Sequence, residues 1–145
     1  MANYIEAKVA YEKTLENGLQ KRVAEPYLVD ALSFTEAEKR IAEEVAPYIS
    51  GEFDVAAVKK SNIAEVVTSD RDSDDRFFKA KLQFITLDEK SGKEKRKNYF
   101  LLVQADTIKT ALSYIENHMK GSVMDYVIAS CSETAIMDVY KEKSA

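Results

Sequence analysis

Apolar residues recur along this chain at an interval of 73 to 74 positions. Subtracting 73 sets Phe78, Ala80, Leu82 and Phe84 on Ile5, Ala7, Val9 and Tyr11, and subtracting 74 sets Ile108, Ala111, Ile115 and Met119 on Phe34, Ala37, Ile41 and Val45. The first set alternates with polar residues, the period of a half-buried strand, and the second is spaced by three or four, the period of a helix with one apolar face. A chain of 145 residues patterned in this way reads as two copies of one unit. A copy of roughly 70 residues has only a marginal core by itself, so the copies are expected to share one. The expected fold is α+β, an internally duplicated strand-strand-helix-strand unit in which two helices cover antiparallel sheet about a pseudo-twofold axis. As a domain plan this gives one domain over 1–145, with repeats at about 3–68 and 76–141 joined by a polar linker at 69–75.

The first copy places a strand from Tyr4 to Lys13, a turn at Asn17-Gly18 and a second strand from about Lys21 to Ala31. Pro26 lacks an N–H and favours an edge or a bulge. Ser33 followed by Glu36 is a capping box, with a helix expected to about Ile49 and Gly51 suited to ending it. Strand returns from Phe53 to Val67, with a break near Ser61-Asn62. The second copy repeats the order: strand Arg76 to Asp88, turn at Ser91-Gly92, strand Lys95 to Ala105, helix Thr107 to Lys120 capped by Asp106 or Thr107, and strand Asp125 to Tyr140.

Composition narrows the classes of function. With 46% hydrophobic and 32% charged residues, four Gly and two Pro, the chain has the balance of a soluble globular protein. It has no apolar run near the roughly 20 residues that a bilayer-spanning helix needs, and no leader-like amino terminus. The single cysteine, Cys131, excludes an internal disulfide and fits a reducing compartment, so the expected location is cytoplasmic, with no membrane partner. The formal charge of −4 is uneven: residues 1–72 hold 9 Lys+Arg against 14 Asp+Glu, and residues 73–145 hold 12 against 11.

Catalytic and metal signatures are missing. Asp70, Asp72 and Asp74 stand at the first, third and fifth positions of a calcium loop, but the required Gly is Asp75 and the closing Glu is Lys81, so the stretch reads as a solvated connector. His118 is the only histidine and reads as a helix-end residue facing the dipole; Cys131 reads as a strand-borne inert thiol. Neither G-x-G-x-x-G nor G-x-x-x-x-G-K-[ST] occurs. The expectation is no enzyme, no catalytic residue, no metal and no cofactor.

The feature with most chemical content is basic and recurs with the repeat. Lys8 corresponds to Lys81, and Lys21-Arg22 to Lys95-Arg96, while the second hairpin adds Lys79, Lys90, Lys93 and Lys97, with Tyr99, Phe77 or Tyr27 as the aromatic residue. Lysine and arginine can hold phosphates while an aromatic ring stacks on an unpaired base. The competing reading is that charged strands protect sheet edges from mispairing.

The segments Pro26 to Glu38, Ile49-Ser50-Gly51-Glu52-Phe53, Phe84 to Gly92, Ile128-Ala129-Ser130 and Ile136-Met137-Asp138-Val139 resemble a family of small proteins of gut Bacteroidetes and their phages, a domain of unknown function. The resemblance runs nearly end to end and carries no catalytic residue over. It implies an intracellular protein of phage or mobile-element origin. Together these readings point to a small binding protein that takes single-stranded nucleic acid through Lys8, Lys21, Arg22, Lys79, Lys81, Lys93, Lys95, Arg96, Lys97 and Tyr99. The alternative is a protein-interaction or oligomerisation module, such as a homodimer.

Overall fold

The structure, a computed structural model, describes residues 2–141. In chain order the elements are β1 (Tyr4–Thr14), β2 (Gln20–Asp30), α1 (Phe34–Val45), β3 (Phe53–Lys60), β4 (Ile63–Val67), β5 (Arg76–Leu87), β6 (Glu94–Ala105), α2 (Ile108–His118), β7 (Asp125–Glu133) and β8 (Val139–Tyr140). They sort into two compact units, one running to Asn62 and resuming at Ala135, the other spanning Ile63–Thr134. The first holds a four-stranded sheet of order β3-β1-β2-β8, the second a sheet of order β7-β5-β6-β4.

Two helices on one sheet were expected, and each helix instead has a sheet of its own. The reason lies in two short strands, one set off by the expected break at Ser61-Asn62 and one that the periodicity does not separate. The run from Phe53 to Val67 breaks at Ser61-Asn62, after which β4 pairs in parallel with β6 of the second sheet. The run from Asp125 to Tyr140 ends as β7 at Glu133, and β8 pairs in parallel with β2 of the first sheet. A fourth strand widens each sheet, and each contains one parallel pairing beside its antiparallel ones. The chain leaves the first unit at Asn62, ahead of the polar stretch 69–75, which belongs to the second.

Each sheet closes over its own helix. In the first unit Ile5, Ala7 and Val9 of β1 and Val29 and Ala31 meet Ala37, Ile41 and Val45 of α1. In the second, Phe78, Ala80 and Leu82 of β5 and Leu101, Val103 and Ala105 of β6 meet Ala111 and Ile115 of α2. Full burial of one Val, Leu, Ile or Phe side chain contributes roughly 1.5–3 kcal/mol, so these stripes fix which face of each strand turns inward. Both outer pairings also slip at matching places. The β1–β3 register shifts between Lys8 and Val9, leaving Ala56 unpaired, and the β5–β7 register shifts between Lys81 and Leu82, leaving Ala129 unpaired. A bulge of this kind bends the strand and increases its twist.

The helix starts follow the sequence and the helix ends do not. Ser33 accepts from the Glu36 amide while the Glu36 carboxylate accepts from the Leu32 amide, and Thr107 accepts from the Thr110 amide. Pro47 stops α1 at Val45, and Ala46–Tyr48 tighten into a single 3-10 turn where helix to Ile49 was expected. The hairpin turns carry Gly18 and Gly92 at φ of 83° and 69°, left-handed values that favour glycine.

Candidate nucleic-acid interface

Side chains alternate across a strand, so the pairing register assigns every basic residue to a face. On β5, Phe78, Ala80, Leu82 and Phe84 point to α2, which leaves Lys79, Lys81, Gln83 and Ile85 on the opposite, helix-free face. Across the β5–β6 pairing Lys79 faces Leu102, Lys81 faces Phe100, Gln83 faces Asn98 and Ile85 faces Arg96, so these eight residues share that face. Exposure grows along it. Leu102 is buried, Lys79, Lys81 and Phe100 are half-buried, and Asn98 and Arg96 are exposed.

The expected set is thus divided. Lys79, Lys81 and Arg96 come together on the helix-free face of the second sheet. Lys95, Lys97 and Tyr99 lie on the helix side, and Lys93 lies in the turn just ahead of β6. Tyr99 is committed elsewhere: its ring tilts against Phe84 at 5.3 Å between centroids, and its hydroxyl donates to Glu65 at 3.0 Å. Burial and that carboxylate hold its phenol above the usual value. In the first unit Lys8 and Arg22 stand on the helix-free face and Lys21 on the helix side.

The aromatic group that alternation does place among the basic residues is Phe100, which sequence reading passed over. The Lys79 ammonium sits 4.9 Å from the centroid of its ring, a cation–π distance. The signal that could have found it is strand alternation across the hairpin: the pairing is centred on Lys90-Ser91 and puts Phe100 opposite Lys81. Gln83 and Asn98 were also missed. The Gln83 amide donates to Asn98 at 3.1 Å, and Arg96 donates to Gln83 at 3.4 Å and lies 3.6 Å from Glu94.

The first sheet handles the equivalent face differently. Lys59 pairs with Glu6 at 3.1 Å, and Arg22 pairs with Asp54 at 3.3 Å. Counting forward by 73, Glu6 becomes Lys79, Glu12 becomes Ile85 and Asp54 becomes Val127, so the second sheet has no acid at those three positions.

The connector 69–75 is exposed at Asp70, Arg71, Asp72, Ser73 and Asp75 and anchored at Asp74. Asp74 is 2% exposed and accepts from the Ser69 and Tyr114 hydroxyls, with Arg71 at 3.9 Å. Burial works against its ionisation, but those two hydrogen bonds and the guanidinium outweigh it and hold the carboxyl below its ordinary value. Asp74 therefore pins the stretch to α2, the element that supplies Tyr114. His118 at the end of α2 meets Glu65 of β4 at 3.0 Å. Cys131 lies on β7 opposite Ala80, where burial pushes its thiol up and away from the reactive thiolate. Among the described residues no group of three or more His, Cys, Asp or Glu side chains is placed to hold a metal, and no helix is long and apolar enough to cross a membrane.

Neither the curated proteins nor the solved structures include a match to this sequence. A family model does match, over residues 3–142, nearly the whole chain. The chain belongs to the family described as a domain of unknown function, DUF4494.

Proposed function

We propose that this chain is a non-enzymatic, internally duplicated protein that binds single-stranded nucleic acid through the helix-free face of its second sheet. The observation that carries the reading is the grouping of Lys79, Lys81 and Arg96 with Phe100, Gln83 and Asn98 on one face. Cations there meet phosphates, and an aromatic ring set among them stacks on a base, a combination that needs unpaired bases. A net charge of −4 does not oppose it, because attraction acts over about one Debye length, and acids more than about 8 Å away are largely screened at physiological salt.

The duplication is supported by the bulges at Lys8/Val9 and Lys81/Leu82 and by helix caps at Ser33 and Thr107, all related by 73 or 74 positions. The pseudo-twofold arrangement and an origin in gut Bacteroidetes or their phages belong to this proposal, as does action in the cytoplasm. Titration of a labelled oligo(dT) tests the reading. Affinity should fall linearly on a log–log plot against salt, and Lys79→Glu with Lys81→Glu should weaken binding at least about tenfold and flatten the slope by roughly 1–2. Affinity indifferent to both salt and substitution would end it.

A second reading, a module that docks a protein or a second copy of itself, is favoured by Leu87 and Val123, which are 71% and 99% exposed near the hairpin end of the second unit. Mass measured by light scattering over a range of concentrations separates the two: growth without any oligonucleotide response favours assembly.

A further inference from the structure

Resting on the nucleic-acid reading above, we propose that the helix-free face of the second sheet discriminates among bases and prefers guanine, with Arg96 as the residue that reads it. Hydrogen-bond polarity carries the argument. Arginine has donors only. Its donation to Gln83 therefore turns the Gln83 carbonyl toward Arg96 and the Gln83 amide toward Asn98. The Asn98 carbonyl is consumed in turn, which leaves the Asn98 NH2 as that residue's uncommitted group. The relay Arg96–Gln83–Asn98 thus directs its acceptors inward along itself and offers donors to a ligand.

An exposed row of donors selects a base edge made of acceptors. Guanine presents O6 and N7 side by side, the pair that an arginine fork meets with two parallel hydrogen bonds. Adenine sets an N6 amino group beside N7, and that amino group would face a donor. Glu94 lies 3.6 Å from the other terminal nitrogen of Arg96. It supplies an acceptor at the margin of the group, which fits the N1–H and N2 amino donors that guanine also carries. Phe100, opposite Lys81 on the same strand pair, gives the selected base or its neighbour a ring to lie on. The first sheet has no such relay: beside Arg22, the counterpart of Arg96, the places of Gln83 and Asn98 are taken by Ala10 and Ala24.

The test compares oligo(dT) of one length with the same oligomer carrying dG or dA at every third position, in lithium buffer so that guanines stay unpaired, followed by fluorescence anisotropy. The dG oligomer should bind about tenfold more tightly than the dA oligomer, the lower half of the range that one bidentate contact supplies. Arg96→Lys keeps the charge and removes the fork, so it should bring the dG and dA oligomers within about twofold of each other. Gln83→Ala, at a half-buried surface position, should reduce the preference in the same direction. Equal affinity for dG and dA oligomers, with oligo(dT) still bound, overturns the base preference and leaves the binding face standing. A preference that survives Arg96→Lys overturns the assignment to Arg96. Absence of binding to every oligomer overturns both proposals together.

Discussion

The helix-free faces of the two sheets carry bulges at similar places in their outer pairings and present different surfaces. On the first, Glu6 is held by Lys59 and Asp54 by Arg22. On the second, the positions 73 further on are Lys79 and Val127, and Arg96 turns to Gln83 and Glu94 within its own hairpin. The inner faces, by contrast, barely differ: Ala7, Val9, Ala37 and Ile41 are matched by Ala80, Leu82, Ala111 and Ile115, all buried. Core positions tolerate only volume-conserving exchange, whereas solvent-facing positions can change sign at little cost to the fold. Function is therefore to be sought where the two sheets differ, and stability where they agree.

The largest expected effect lies in the part the sheets share. Ile41→Ala in the first unit and Ile115→Ala in the second each remove a fully buried side chain and should cost about 2–5 kcal/mol. Amide hydrogen exchange should show the loss of protection centred on the unit that carries the substitution. Equal loss in both units from either change would break the view that each helix is closed by its own sheet.

The difference between the faces can be moved by hand. Glu6→Lys, Glu12→Ile and Asp54→Val together give the first sheet the residues of the second, and oligo(dT) affinity or stoichiometry should rise about two- to threefold. In the same anisotropy assay Lys8→Glu should change affinity less than Lys79→Glu does. A larger effect at Lys8 would reverse the comparison.

A smaller effect sits at Asp74, which the periodic pattern gives no partner in the first unit. Asp74→Ala removes a buried acceptor of the Ser69 and Tyr114 hydroxyls and should cost about 1–3 kcal/mol by urea unfolding at neutral pH. Its folded carboxyl titrates below the ordinary value. The stabilisation is therefore complete above the unfolded value of about 3.9 and is lost as pH falls through the folded one. The variant should show a shallower acid limb of stability against pH. An unchanged acid limb would remove Asp74 from the account.

Smallest are the caps. Ser33→Ala and Thr107→Ala should each cost about 1 kcal/mol. Glu36→Ala should add a penalty of its own in α1, because only there does a carboxylate return to the preceding backbone at Leu32.

Much of this architecture was legible in the order of residues, and the gaps have physical causes. Period-2 and period-3.6 patterns located β1, β2, β5, β6 and both helices to within a few residues, because burial imposes those periods directly. The short strands β4 and β8 escaped, since five and two residues carry too little alternation to show which sheet will take them. Their transfer is why one sheet under two helices became two sheets. Asp74 escaped for another reason: an aspartate in a polar run looks solvated until Tyr114, 40 residues away, is folded over it. In the candidate interface, Lys79, Lys81 and Arg96 were legible as charge. Phe100, Gln83 and Asn98 needed the hairpin register, and Tyr99 was misplaced because its neighbour on the next position, not Tyr99 itself, faces the lysines.

The central claim is that one face of one sheet meets single-stranded nucleic acid. Its most direct test is the pattern of backbone amide shifts when oligo(dT) is added to the isotopically labelled chain. The account predicts shifts clustered at Lys79, Lys81, Gln83, Arg96, Asn98 and Phe100, with Lys8, Arg22 and the residues around Tyr99 on the helix side little changed. Shifts centred on the first sheet or on the helix side of the second, or none at all at saturating oligomer, would contradict it.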